Sequence, residues 1–291
     1  MKNARGQTFR WAAWLGWQLE SNWTEPWLFI IYVLIKPLTS SLLLVCMYYA
    51  ARGALPGGVP VAFLPYMYVG NACYMLVGAV MFGMCNAVIS DREHYRMLKY
   101  IYISPGHFQT YLVGRAIAGA FQALLGGLLN LVIGALAFRE VGDALTGHSL
   151  EWGWLFLYLL LGVTMLIALG LVLSAAVLNM ARQGMYLSEG IAGVMYLLCG
   201  VVFPLAALPM ALRYAGLCLP PTYWLEGMRR CLLGFQPEGM LQGPLSTWGH
   251  GELALALTVS TALLVVFAAW FFRWNELRAW RSGKIEETTG A

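Results

Sequence analysis

The stretch Ser90–Gly106, SDREHYRMLKYIYISPG, decides how the rest of the chain is read. It is a strongly charged run lying between two long apolar segments. Ser90 and Glu93 have the spacing of a capping box, in which the serine oxygen and the carboxylate satisfy each other's backbone amides. That spacing predicts a helix beginning at Ser90 and running to about Ser104, because Pro105 and Gly106 cannot continue it. On such a helix Met97, Leu98, Ile101 and Tyr102 share one side, and Arg92, Glu93, Arg96 and Lys99 occupy the rest. The segment 90–104 is therefore expected to be an amphipathic helix whose polar face needs a partner.

The apolar flanks set the environment. The chain has 291 residues, of which 60% are hydrophobic and only 11% charged, with a mean hydropathy of +0.66. Soluble proteins carry roughly 25% charged residues. Crossing a hydrocarbon core about 30 Å thick takes about 20 apolar residues, and such stretches lie near 27–50, 62–89, 111–138, 152–178, 186–203 and 252–272. Backbone in lipid must satisfy its own hydrogen bonds, and these runs lack the alternation of barrel strands, so all six are expected to be helices. The fold class expected is an all-α polytopic membrane protein.

Placing both termini in the cytoplasm puts all 18 basic residues inside except Arg52, Arg139, Arg213, Arg229, Arg230 and the in-span Lys36. This satisfies the positive-inside rule and makes 90–104 cytoplasmic. The N-terminal region is long, aromatic and without a small-residue cleavage site, unlike a signal peptide. Six cysteines are scattered without metal-ligand spacing. Cys218 and Cys231, both on the expected outer side, are read as unpaired thiols, a disulfide being the alternative.

In chain order, residues 1–26 form a cytoplasmic tail in which Trp11, Trp14, Leu15, Gln18 and Leu19 recur at helical spacing, the pattern of an interfacial helix. It is either a simple anchor or a lever on the first span. The transmembrane domain is expected over 27–272. Its first span contains Lys36-Pro37, where a kink is expected. Lys36 is either functional, facing a cavity, or structural, bonded to kink carbonyls. Tyr66, Tyr68, Asn71 and Tyr74 lie toward the outer end of the second span, as an aromatic belt or as the lining of a passage. Gly114, Gly119, Gly126, Gly127, Gln122 and Asn130 in the third span read as a helix-packing face. Residues 139–151 read as a polar outer loop. Glu189, in the fifth span near Arg182, is the second charge inside the membrane. After Phe203-Pro204 the prolines at 209, 220 and 221 and Gly234 break the chain into pieces too short to cross, so 204–233 is expected to be an outer re-entrant helical hairpin. Its Glu226, Arg229 and Arg230 must face water or a partner. The tail 273–291 is polar, cytoplasmic and expected to be flexible from Arg278 onward.

Catalytic signals are missing. There is no G-x-x-x-x-G-K-[ST] loop to cradle nucleotide phosphates, no H-E-x-x-H and no G-x-S-x-G. His94, His107, His148 and His250 are isolated in polar segments and read as solvated.

Asp91-Arg92-Glu93 leading through Leu98-Lys99-Tyr100 to Ile103-Ser104-Pro105 and Gly114-Arg115 resembles the signature of type-2 ABC exporter permeases. Phe203-Pro204, Leu208-Pro209, Leu219-Pro220-Pro221-Thr222-Tyr223 and Gly227-Met228-Arg229 are similar to that family's outer hairpin, with Leu219-Pro220 standing where asparagine-proline is common. The resemblance implies a permease subunit without enzymatic activity of its own and without a bound cofactor, ATP and Mg being held by a separate ATP-binding subunit. It implies two such subunits on a homodimer of this chain in the inner membrane, surrounded by lipids and without a nucleic-acid partner. It implies that Arg92, Glu93, Arg96, Leu98, Lys99 and Tyr100 dock the ATPase, that the hairpin is an exit gate, and that the substrate is a drug, lipid or lipid-linked glycan. Lys36, Tyr66, Asn71, Tyr74, Glu189 and Phe203 are the candidate pathway residues. The alternative is an ion-coupled secondary transporter using Lys36 and Glu189, against which no inverted repeat is visible.

Overall fold

The computed structural model describes residues 2–21, 26–54, 59–104, 107–180, 183–234 and 243–283. Among them the chain is all-helical, in the order α1 (Lys2–Ser21), α2 (Pro26–Ala54), α3 (Phe63–Leu76), a π-helical turn (Val77–Phe82), α4 (Gly83–Glu93), α5 (Leu98–Ile103), α6 (Phe108–Ala137), α7 (Arg139–Thr146), α8 (Trp152–Leu178), α9 (Gly184–Leu198), a 3₁₀ turn (Leu205–Ala207), α10 (Met210–Leu217), α11 (Pro220–Leu233) and α12 (His250–Arg281).

Four continuous helices among the described residues are long and apolar enough to cross a membrane: Phe63–Glu93, α6, α8 and α12. The expected first span falls on α2, whose 29 residues run through Pro37 without a break. The expected fifth falls on α9, which has 15 residues. At about 1.5 Å per residue it reaches roughly 22 Å, short of a full crossing. It stops where Gly200 takes a left-handed φ of 71°, a conformation that glycine adopts without a Cβ penalty.

The core joins α3, the π turn, α4, α6, α8, α11 and α12 around Trp224, Tyr158, Met81, Met165, Leu112 and Phe272, all buried. A smaller outer cluster holds Leu44, Tyr48, Leu64, Met67, Tyr68 and Val141 together between α2, α3 and α7. Leu43, Leu128, Leu136, Phe156, Leu263 and Val266 point outward and exposed, as lipid contact requires. Apolar burial drives little association inside a bilayer, so close packing and interhelical hydrogen bonds hold the bundle. The small residues of α6 serve that packing: Gly114 meets α1 at Ala12 and the Phe9 carbonyl, and Gly119 meets the Ala79 carbonyl.

Three local expectations need correction. Ser90 does not start a helix: α4 is already under way from Gly83, and the Ser90 carbonyl accepts the His94 and Tyr95 amides at its end (3.0 and 2.9 Å). Because Ser90 sits inside that ladder its amide is no orphan donor, and a capping box has nothing to cap. Residues 139–151 are not simply a loop, since α7 forms there with Val141 buried. The C-terminal helix continues to Arg281, so Arg278 is helical, and 284–291 lie outside the described residues. The N-terminal helix runs alongside the first half of α6, in the same direction, with Gly16 against Ala118 and Trp17 5.7 Å from Phe121 between ring centroids; Trp11 and Trp14 face outward. Six cysteines are free, Cys218 exposed and Cys231 buried.

Candidate functional site

A cavity of about 590 Å³ opens between α2, the α3–π–α4 helix, α6 and α9. Pro37 and Ser40 line it from α2, Asn71, Tyr74 and Met75 from α3, Gly78 and Ala79 from the π turn, Gly83 and Asn86 from α4, Gln122, Ala123 and Gly126 from α6, and Tyr196 from α9. The π turn contributes small residues here, and π turns inside α-helices often occur at functional sites.

Most polar groups near the cavity are tied to one another. The Asn71 amide donates to the Ser40 and Ser41 hydroxyls, 3.0 Å each, and its carbonyl oxygen accepts from Tyr196, 3.4 Å. Ser41 also accepts from the Asn130 amide at 2.8 Å, and Tyr68 donates to the Asn130 side-chain and backbone oxygens at 2.9 Å. This ladder connects α9, α3, α2 and α6. Tyr74 packs edge-on to Tyr196 at 4.9 Å and donates to the Ala192 carbonyl at 2.7 Å. Gln122 differs: its Nε2 is buried and has no hydrogen-bond partner among the described residues. Turned toward the mixed-polarity space that the residue lines, this amide donor would meet an acceptor atom on a guest.

At the end of the bundle where α11 packs on α3, Arg229 of α11 is only 4% exposed. Its guanidinium donates to the carbonyls of Gly200 (2.6 Å) and Val201 (2.9 Å) and to the Tyr66 hydroxyl (2.8 Å), and stacks 3.8 Å from the Tyr66 ring centroid. A Cβ on Gly70 would overlap this guanidinium. Arg230 bonds Glu226 at 3.0 Å and the carbonyls of Leu245 and Trp248. The expectation that these charges face water or a partner is therefore wrong: they are consumed inside the chain, capping carbonyls that the broken helices leave open. His148 and His250 are also half-buried rather than solvated, His148 contacting the Cys231 carbonyl and His250 stacking on Trp154.

At the opposite end Asp91, fully buried, accepts from Arg115 (3.0 and 3.2 Å) and Tyr111 (2.7 Å), riveting the end of α4 to the start of α6. Arg92, 2% exposed, donates to the Met180 carbonyl at 3.0 Å and pairs with Glu93 at 3.2 Å. Between α4 and α5 the chain turns at Arg96, whose φ is 50°. Leu98 is buried under α5, while Arg96, Lys99, Tyr100 and Ile103 are exposed. Of the six docking candidates Arg92 and Leu98 are thus unavailable, because folding inserts both into the bundle, and Glu93 is half-buried. On the inner side of α5, burial pushes the Tyr102 phenol well above its usual range, and the nearby Glu276 carboxylate adds to the shift.

The pathway candidates divide. Asn71 and Tyr74 line the cavity. Tyr66 is locked under Arg229, Phe203 is exposed and packs 6.3 Å from Phe63, and Glu189 is exposed on α9 away from the lining. The Lys36 side chain and Arg182 lie outside the described residues. Ser40, Asn86, Gln122 and Tyr196 complete the wall without having been singled out as pathway residues; the available signal was their polarity inside apolar helices.

Membrane-length helices around an off-centre cavity define a multi-pass membrane protein. The profile of the ABC-2 family transporter proteins matches residues 57–272, and the chain belongs to that family. It is an ABC transporter permease subunit, and subunits of this family work with ATP-binding cassette partners. A search of curated proteins found no match.

Proposed function

We propose that this permease exports an amphipathic molecule, a drug, lipid or lipid-linked glycan, from the inner leaflet or cytoplasm as a homodimer energised by two separate ATP-binding subunits that hold ATP and Mg. The observation that carries this reading is the cavity, whose wall sets hydroxyls and amides of Ser40, Asn71, Asn86, Gln122 and Tyr196 beside Met75, Ala79 and Ala123. Such a wall suits a guest with a polar head and an apolar body. In this arrangement six spans cross the inner membrane with both termini cytoplasmic: α2 is the first, and α9 makes the fifth only together with the non-helical residues that follow it to Phe203. The turn at Arg96 with Lys99 and Tyr100 is the docking face for the ATPase, and α1 is the interfacial helix that moves with α6. The α10–α11 hairpin is the exit gate. ATP biases the outward state only through contacts that differ between the two states.

Reconstitution with the ATPase in lipid vesicles tests the reading. Amphipathic lipids and drugs are expected to stimulate hydrolysis, whereas small hydrophilic solutes leave it at the basal rate; no stimulation by any member of a lipid and drug panel would sink it. Arg96→Ala with Tyr100→Ala is expected to lower stimulated hydrolysis several-fold without loss of insertion, and unchanged coupling would remove the docking assignment.

A further inference from the structure

A second cavity, about 320 Å³, lies where α1, the start of α6 and the end of α12 converge. Its wall is mostly polar: Arg5 of α1, His107 just before α6, Gln109 and Thr110 of α6, and Arg273 and Glu276 of α12, with Phe108 and Ala269 as apolar contacts. Ala269, Arg273 and Glu276 stand at i, i+4 and i+7, one face of α12. Arg273 lies close enough to Glu276, one turn on, for its charge to act on that carboxylate, which the Tyr102 hydroxyl also approaches. His107 and the first three residues of α6 belong to the lining, which puts the positive end of that helix beside the pocket.

The pocket's depth identifies its medium. Trp270 and Trp274, exposed and stacked at 6.5 Å, flank Arg273 along α12, and Arg278 lies 5.6 Å from the Trp274 ring. Exposed tryptophans at a helix end mark the headgroup layer of a bilayer, and basic pockets between helices at that depth bind lipid headgroups. Two guanidinium groups suit a phosphodiester. The Glu276 carboxylate in the same wall would repel a purely anionic head, but it is well placed to accept an ammonium group.

From this charge pattern we infer that the α1–α6–α12 pocket is a resident site for an aminophospholipid headgroup, with Arg5 and Arg273 on its phosphate and Glu276 on its amine. The site is separate from the 590 Å³ cavity and does not depend on what that cavity transports. A lipid bound there bridges α1 to the two long helices and ties the N-terminal helix to the bilayer.

Native mass spectrometry of the full-length protein, released from detergent after incubation with dioleoyl-phosphatidylethanolamine or dioleoyl-phosphatidylglycerol, reads the site directly. Wild type is expected to retain the ethanolamine lipid preferentially. The double variant Arg5→Gln/Arg273→Gln is expected to weaken retention at least about tenfold, because charge-assisted hydrogen bonds are lost, with Arg278→Gln as an unaffected control. Glu276→Gln is expected to abolish the preference for ethanolamine over glycerol headgroups while keeping binding, a change that a folding defect would not produce. Equal retention by the double variant, or an equal preference in wild type for the two lipids, overturns the assignment. Displacement of the lipid by millimolar inorganic phosphate would make this a free-anion site instead. Loss of the ATPase partner with lipid retention intact would make it a protein contact.

Discussion

The Arg229 end of the bundle and its middle are built from similar polar residues used in different ways. Around Arg229 the guanidinium is engaged with two backbone carbonyls and a tyrosine hydroxyl, and no space remains beside Gly70. In the cavity wall, Gln122 keeps a buried amide nitrogen without a partner among the described residues. The Arg229 guanidinium holds its neighbours through both terminal nitrogens and leaves only its Nε without a partner among the described residues, whereas the Gln122 Nε2 holds nothing and belongs to a residue of the cavity wall. The ladder Tyr196–Asn71–Ser41–Asn130–Tyr68 stands between the two: it forms part of the cavity wall, yet it is internally paired.

The largest effect that would sharpen this contrast belongs to Arg229→Ala. Removal leaves the Val201 carbonyl, just past the end of α9, without its donor and the Gly200 carbonyl with the Tyr66 hydroxyl alone, at 3.2 Å. Each buried unsatisfied group costs about 1–3 kcal/mol, so a loss of about 3 kcal/mol is expected, read as a lowered unfolding midpoint by tryptophan fluorescence in detergent. Arg229→Lys should recover only part of it, since an ammonium on a shorter stem lacks the planar fork that reaches both carbonyls and the phenol. A midpoint unchanged by the alanine variant would mean that water replaces the side chain and that this end is not sealed.

How much of this was readable beforehand depends on where each partner lies in the chain. The bounds of α8, 152–178, follow directly from an uninterrupted apolar run between Glu151 and Asn179. The break into a 3₁₀ turn, α10 and α11 follows from the prolines at 204, 209, 220 and 221, because backbone breakers act locally. The π turn at Val77–Phe82 left no trace, since VGAVMF is as good an α-helical sequence as its neighbours. Ser90–Glu93 misled for the converse reason: a local capping pattern was overridden by a helix already running through it. Arg92, Arg229 and Arg230 were visible as charges but not as buried ones, because the carbonyls that receive Arg92 lie about 85 residues away and the Tyr66 hydroxyl lies 163 residues from Arg229. The cavity wall needed four helices to converge, so Asn71 and Tyr74 could be nominated as polar, whereas Tyr66 and Phe203 could not be separated from them.

Asn71→Leu tests the intermediate case. It disconnects Ser40, Ser41 and Tyr196 while keeping the volume nearly filled. Interhelical hydrogen bonds in membranes average about 0.6 kcal/mol, so the expected cost is about 1 kcal/mol, a smaller drop in the same midpoint than for Arg229→Ala. Transport should change with it, because the ladder positions Tyr196 at the cavity. A drop as large as that of Arg229→Ala would break the distinction between a sealed end and an adaptable wall.

The smallest stability effect, and the one of opposite sign, is expected for Gln122→Leu. Its amide nitrogen has no partner to lose, and replacing an unsatisfied buried donor by an apolar group of similar size is neutral or stabilising, here by less than about 1 kcal/mol. The functional expectation runs the other way. If the amide meets an acceptor on the transported molecule, stimulation by substrates that carry a carbonyl or phosphoryl oxygen should fall about tenfold in apparent affinity, with basal hydrolysis unchanged. Gln122→Glu should restore neither, since a carboxylate removes the donor and brings a charge whose burial is costly. A leucine variant that is destabilised while its substrate response stays intact would reverse the assignment, making Gln122 a rivet like Arg229.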